Sequence, residues 1–158
     1  MSRPPKCRRV NFVPGVTYFK PAGIPLRILD EIHLTVEEVE SIRLKDLEGL
    51  DQEQCAKKMN ISRATFQRVL ESARKKLAEA LLNGKAIRIE GGNFEMAPLH
   101  FTCPTGHEWE IPFDVALKTE QQFCPVCNIP VVVPIQPSAS GWGRGRWGRR
   151  CGGRNSRI

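Results

Sequence analysis

The chain has 158 residues, enough for one ordinary domain or two small ones, and only 7% of them are aromatic. Its net charge of +7 is unevenly spread: residues 1–27 and 121–158 each carry six bases and no acid, around a middle holding 12 bases and 17 acids. Basic ends on a mildly acidic body suit a polyanion partner, and the lack of a signal-like start or an apolar run near ~18 residues speaks against secretion and membrane insertion. The expected location is cytoplasmic, at the nucleoid. In a reducing compartment the six cysteines read as metal ligands or core residues rather than three disulfides.

In chain order, residues 1–30 are rich in proline and base and read as an extended arm, with a short strand near 16–20. Residues 31–92 form the helical domain. Thr35-Val-Glu-Glu38 is a capping-box start, Val39, Ile42, Leu44 and Leu47 supply the apolar face, and Gly49 is the stop. A second helix is expected over 51–59, burying Cys55, Ala56 and Met59. Asn60 suits a left-handed turn, and Ser62 caps a third helix over 63–82 that ends at Asn83-Gly84.

Ala56, Asn60 and Phe66 have the offsets of a helix-turn-helix: a small residue at the crossing, a turn residue four later, a bulky apolar residue ten later. Phe66, Val69, Leu70, Ala73, Leu77 and Leu81 form one stripe of the third helix. Arg63, Ala64, Gln67 and Arg68 fall on the other side, in the half that enters a major groove. Arginine can pair bidentately with guanine, glutamine can pair with adenine, and alanine admits a thymine methyl. Lys57, Lys58, Thr65, Arg74, Lys75 and Lys76 are assigned to phosphates, which position without reading sequence. The competing explanation is a plain three-helix bundle with a solvated basic face.

Beyond a strand at 86–90 and the break Gly91-Gly92, residues 93–136 read as a small β unit with strands near 99–102, 108–113 and 131–135. Within it, Cys103-Pro-Thr-Gly-His107 and Cys124-Pro-Val-Cys127 are two short-spaced pairs separated by sixteen residues, the pattern of a zinc ribbon. Three thiolates and an imidazole satisfy tetrahedral Zn²⁺ and leave no open position for catalysis; rubredoxin-like iron would use four cysteines. Residues 137–158, rich in Gly, Arg and Trp, read as a disordered tail suited to unspecific single-strand or RNA contact.

The segments Arg43-Leu-Lys-Asp-Leu-Glu-Gly-Leu, Ser62-Arg-Ala-Thr-Phe and Ala73-Arg-Lys-Lys-Leu resemble region 4 of bacterial sigma factors. Pro5-Lys-Cys-Arg-Arg-Val, Pro14-Gly-Val-Thr-Tyr-Phe-Lys-Pro-Ala-Gly-Ile-Pro-Leu and Asn83-Gly-Lys-Ala-Ile-Arg-Ile-Glu-Gly-Gly look like the domain-of-unknown-function 134 family, over about residues 3–92. The resemblance implies a sigma-like helix-turn-helix and a DNA partner in a prokaryotic protein, and it leaves the zinc-ribbon-like unit outside. Ala64 and Gln67 depart from the residues sigma factors often use there, which argues against promoter recognition.

The sequence therefore predicts a mainly α helix-turn-helix domain, a small β zinc-ribbon-like unit and a basic tail. The expected function is a non-enzymatic transcriptional regulator that reads double-stranded DNA with the helix starting at Arg63 and carries structural zinc. A homodimer is compatible with it. The alternative is an adaptor that contacts RNA polymerase or another protein, with ribbon and tail holding RNA.

Overall fold

A computed structural model describes residues 6–116, 118 and 121–132. The tail over 137–158 and the part of the last expected strand beyond 132 lie outside the described residues. The order of elements is β1 (Arg8–Val10), β2 (Tyr18–Phe19), β3 (Glu31–Leu34), α1 (Val36–Ile42), α2 (Gln52–Lys58), α3 (Arg63–Asn83), β4 (Ala86–Ile89), β5 (Phe94–Met96), β6 (Leu99–Thr102), β7 (Glu108–Ile111), α4 (Phe113–Ala116), β8 (Gln121–Phe123) and β9 (Pro130–Val132).

The mainly α expectation is corrected: the described residues are 38% helical and 24% strand, a mixed fold with several small sheets. The helical block is the crossover between two parallel strands. β4 lies in the middle of a three-stranded sheet, parallel to β3 (Leu34 opposite Ile89) and antiparallel to β2 (Phe19 opposite Ile87). Parallel neighbours need a long connection, and here α1, α2 and α3 supply it. β1 pairs in parallel with β5, Arg8 opposite Phe94. β2 and β4 fall within the strands expected near 16–20 and at 86–90, whereas β1, β3 and β5, three or four residues long with partners far along the chain, show no local periodicity that could reveal them.

The expected caps are present. The Thr35 hydroxyl accepts from the Glu38 amide at 3.3 Å, and the Glu38 carboxylate accepts from the Thr35 amide at 2.9 Å. Ser62 caps α3, and Gly84, at φ 62, ends it in the left-handed region that glycine tolerates best. Two apolar assignments shift. The first helix passes into a π turn over Arg43–Leu47, which leaves Leu47 82% exposed and Leu44 fully buried. On α3 the stripe ends at Ala80, while Leu81 is 79% exposed. Eight residues after Ala73, at 100° each, Leu81 has rotated about 80° off the buried face, whereas Ala80 is only about 20° off.

Three apolar clusters hold the first unit. Leu44, Cys55, Ala56, Met59, Phe66 and Leu70 join the π turn, α2 and α3, with Ile42 of α1 packed against them. Leu34, Ala73 and Ile89, flanked by Val39, Ile42, Leu77 and Ile87, fix α3 to the sheet. Val10, Val13 and Val36, with Phe94 and Met96, fasten the N-terminal segment to the same body.

Candidate nucleic-acid interface and metal centre

α2 and α3 meet as their sequence requires. Ala56 is buried where the helices approach, Asn60 takes φ 55 in the connecting turn, and Phe66 is fully buried beneath it with Ile61 packed alongside. A larger side chain at position 56 would push α3 off this core.

Arg63, Ala64, Gln67 and Arg68 are all exposed; at 100° per residue Ala64 and Arg68 lie opposite Phe66, Gln67 about 100° round from it, and Arg63, in the first turn, about 60° from it. Arg63 Nε donates to Gln52 Oε1 at 3.3 Å, and Gln67 Nε2 donates to Glu71 Oε1 at 3.0 Å. Both are exposed contacts that a stronger partner can displace at little cost.

The six residues assigned to phosphates divide. Lys57 and Lys75 are exposed, and Lys58 lies 3.6 Å from Glu48. Arg74, by contrast, grips Asp46 with two nitrogens at 2.5 and 3.2 Å. Lys76 donates to the buried Glu38 carboxylate at 2.8 Å. The Thr65 hydroxyl is paired with that of Ser62 at 2.8 Å. Sequence reasoning missed this division because Asp46 and Glu38 lie 28 and 38 residues from their partners.

It also missed where the N-terminal bases go. Arg8 of β1 and Lys6 just before it reach the α2–α3 turn, where with Lys57, Asn60, Ser62 and Thr65 they line an open cleft of about 460 Å³. Lys6 Nζ lies 3.5 Å from Asn60 Oδ1, and Arg8 pairs with the buried Glu37 at 2.6 Å.

The second constellation sits at the tips of two hairpins. β6 and β7 pair from Leu99–Ile111 to Thr102–Glu108 and present Cys103 and His107. β8 and β9 pair from Gln121–Val132 to Phe123–Pro130 and present Cys124 and Cys127. Each tip is a tight turn: Gly106 (φ 88) donates to the Cys103 carbonyl at 2.9 Å, and Asn128 (φ 58) donates to that of Cys124 at 2.9 Å. Phe101 is buried and stacks on Trp109 at 5.6 Å, backing the first tip, whereas Phe123 is 54% exposed and covers little.

The four donor atoms lie within 4.8 Å of one another. Cys103 Sγ is 3.7 Å from Cys127 Sγ and 3.4 Å from His107 Nδ1, and Cys124 Sγ is 3.7 Å from that same nitrogen. Tetrahedral zinc with its usual bond lengths sets sulfur–sulfur edges of about 3.8 Å and sulfur–nitrogen edges of about 3.6 Å. The three distances Cys103–Cys127, Cys103–His107 and Cys124–His107 come close to the edges of a tetrahedral site, with Nδ1 as the imidazole donor.

Protonation fits the same chemistry. Burial raises the Cys103 thiol, but hydrogen bonds from the Thr105 hydroxyl, the His107 and Thr105 amides and Cys127 outweigh it and bring the value to about 6. Thr105 likewise lowers Cys127, while burial pushes Cys124 up. His107 is raised by its contacts with Cys127 and Cys103. Thr105, which the motif reading passed over, has its hydroxyl 2.9 Å from Cys103 Sγ, 3.0 Å from His107 Nδ1 and 3.3 Å from Cys127 Sγ. Its place between two ligands of a short pair was the available signal.

Among known proteins, a family model described as "Protein of unknown function DUF134" matches residues 1–97. A UPF0251 protein of Halothermothrix orenii is 56% identical over 129 residues, 81% of this chain and 96% of the relative. One from Desulforudis audaxviator is 61% identical over 128 residues, 81% of this chain and 82% of the relative. One from Moorella thermoacetica is 52% identical over 147 residues, 92% of each chain. An alignment of 147 residues outruns the 97 matched by the family model, so the likeness continues into the second unit. No solved structure matches.

Proposed function

The chain belongs to the DUF134 (UPF0251) family, and from that premise we propose that it is a double-stranded-DNA-binding regulator of transcription carrying one structural zinc ion. The observation that carries the DNA reading is the two-sided character of α3. Its first turns are anchored by the fully buried Phe66, while Arg63, Ala64, Gln67 and Arg68 all remain exposed around the rest of the helix. A rigid helix presenting bidentate donors is what a major groove accepts.

Lys57 and Lys75, with Lys58 and Lys6, supply charge for the backbone. Zinc is supported by the donor set, three thiols and an imidazole whose donor atoms lie within 4.8 Å of one another. Four protein ligands complete its coordination, so the metal stiffens two hairpins and takes no part in a reaction. We assign no catalytic activity. Among the described residues no helix is long and apolar enough to cross a membrane, which accords with action on DNA in the cytoplasm.

Selection from a random duplex library with full-length, zinc-loaded protein at near-physiological salt tests the DNA reading. The expected result is an enriched motif in which Arg63→Ala and Arg68→Ala each relax one position, at roughly 1–3 kcal/mol. No enrichment, with binding that survives only at low salt, would overturn it in favour of an adaptor holding RNA polymerase or RNA. Elemental analysis tests the metal: one zinc per chain is expected, with a lower unfolding temperature after chelation.

A further inference from the structure

We propose that Thr105 is a positioning residue of the metal centre, its hydroxyl capping the face of the ligand tetrahedron opposite Cys124 and donating to the thiolates of that face. This rests on the zinc reading and concerns what guards the ion once bound.

The argument is geometric. Thr105 Oγ1 lies 2.9, 3.0 and 3.3 Å from Cys103 Sγ, His107 Nδ1 and Cys127 Sγ, three corners of the tetrahedron. With edges of about 3.6–3.8 Å, a point at those distances stands about 2 Å off the plane of the three. On the inner side it would fall within about 1 Å of Cys124 Sγ, given a tetrahedron only about 3 Å tall. It therefore sits on the outer side, about 3 Å from the metal position, too far for a coordination bond of ~2.0–2.2 Å.

That is where a fifth ligand or an attacking reagent would approach. A metal-bound Nδ1 carries no proton and has committed its lone pair, so the hydroxyl proton goes to sulfur, shared between Cys103 and Cys127. Among the described residues, no other hydroxyl is within hydrogen-bond distance of these ligands. The turn holds it there: Gly106, at φ 88, closes Cys103 to His107 and leaves Thr105 facing the cluster. A β-branched side chain is stiff at χ1, so its methyl group also stays in place.

Hydrogen bonding withdraws charge from a thiolate and slows its reaction with electrophiles and oxidants. Partners of this kind typically contribute 10–100-fold to metal affinity. The test compares full-length wild type, Thr105→Val (same shape, no donor) and Thr105→Ser (donor kept) loaded with Co²⁺ or Zn²⁺. Thr105→Val is expected to shift the thiolate-to-cobalt charge-transfer band, bind zinc roughly tenfold more weakly against a competing chelator, and release it faster under hydrogen peroxide. Thr105→Ser should track wild type. Identical bands, affinities and release rates for all three proteins would overturn the role of Thr105 while leaving the metal site standing. Failure of wild type to take up either metal would sink both.

Discussion

The ion pairs of the helical block make a quantitative prediction about salt. Five cations were assigned to phosphates from sequence: Lys57, Lys58, Arg74, Lys75 and Lys76. Each phosphate neutralised on duplex DNA contributes about 0.9 to the slope of log affinity against log salt, so all five together would give about 4.5. Two of the five already hold carboxylates in the structure. Arg74 is already neutralised by Asp46 at 2.5 Å, and Lys76 by the buried Glu38 at 2.8 Å. A cation that must leave a carboxylate to meet a phosphate releases no net counterion. Lys58 stays in the count because its contact with Glu48 is a single one at 3.6 Å, whereas Arg74 holds both carboxylate oxygens of Asp46.

Three side chains then contribute about 2.7, so raising salt fourfold should cost about 40-fold in affinity from this set rather than about 500-fold. Contributions from other segments cancel when variants are compared by fluorescence anisotropy on one duplex across a salt series. Lys75→Gln should lower the slope by about 0.9, Arg74→Gln should leave it nearly unchanged, and Asp46→Asn, which frees Arg74, should raise it by up to about 0.9. Equal reductions for Lys75→Gln and Arg74→Gln would refute the reasoning.

Three further outcomes concern the scaffold. Phe66→Ala, which empties a fully buried site between α2 and α3, should cost about 3–5 kcal/mol in urea unfolding; a loss below about 1 kcal/mol would mean this core does not hold α3. Burial raises the Glu38 carboxyl, but Lys76, Ser72 and the Thr35 amide together hold it below its ordinary value. A depressed folded value means the unfolded chain binds more protons in acid. The stabilisation is complete above about pH 4.3 and is lost as pH falls through the folded value. Glu38→Gln should therefore destabilise at pH 7 by about 2 kcal/mol and flatten the stability profile below pH 5; profiles of equal slope would contradict the pairing. At Gly92, at φ 106, an added Cβ would stand 1.8 Å from Glu37 Oε2, so Gly92→Ala should cost about 2 kcal/mol or more, and an unchanged melting temperature would rule out that close approach.

What could be read from the sequence was whatever is written locally. The capping box at Thr35, the cap at Ser62, the turn at Asn60 and the two ligand pairs each fit within a few residues, because capping, left-handed turns and chelation are short-range chemistry. Leu47 and Leu81 were placed by stretching one periodicity too far, past a π turn in the first case and past the rotational drift of a 21-residue helix in the second. β1, β3 and β5 could not be read at all. Val10 is buried because Val13, Val36, Phe94 and Met96 meet around it, and nothing near residue 10 announces those partners. The same holds for Lys76: its charge is visible in the sequence, its pairing with Glu38 is not.

The consequence for the proposed function lies in α1, whose three buried glutamates each fasten a different piece of the molecule. Glu37 takes Arg8 of β1 at 2.6 Å and the Asn93 amide at 3.3 Å. Glu38 takes Ser72 and Lys76 of α3 at 2.7 and 2.8 Å. Glu40 takes the Asn11 amide at 3.0 Å and Arg43 at 2.8 and 2.9 Å. Buried ion pairs add little net stability, because desolvation consumes most of the Coulomb gain, but their geometry tolerates few alternatives. Removing one partner leaves a charge stranded, so these pairs penalise any arrangement in which α1, α3 and the N-terminal segment slide past one another. For a protein proposed to read base edges, that rigidity has a use. The exposed face of α3 and the bases of the N-terminal segment are held in one fixed relation, and bidentate hydrogen bonds lose their discrimination when donors drift by an ångström.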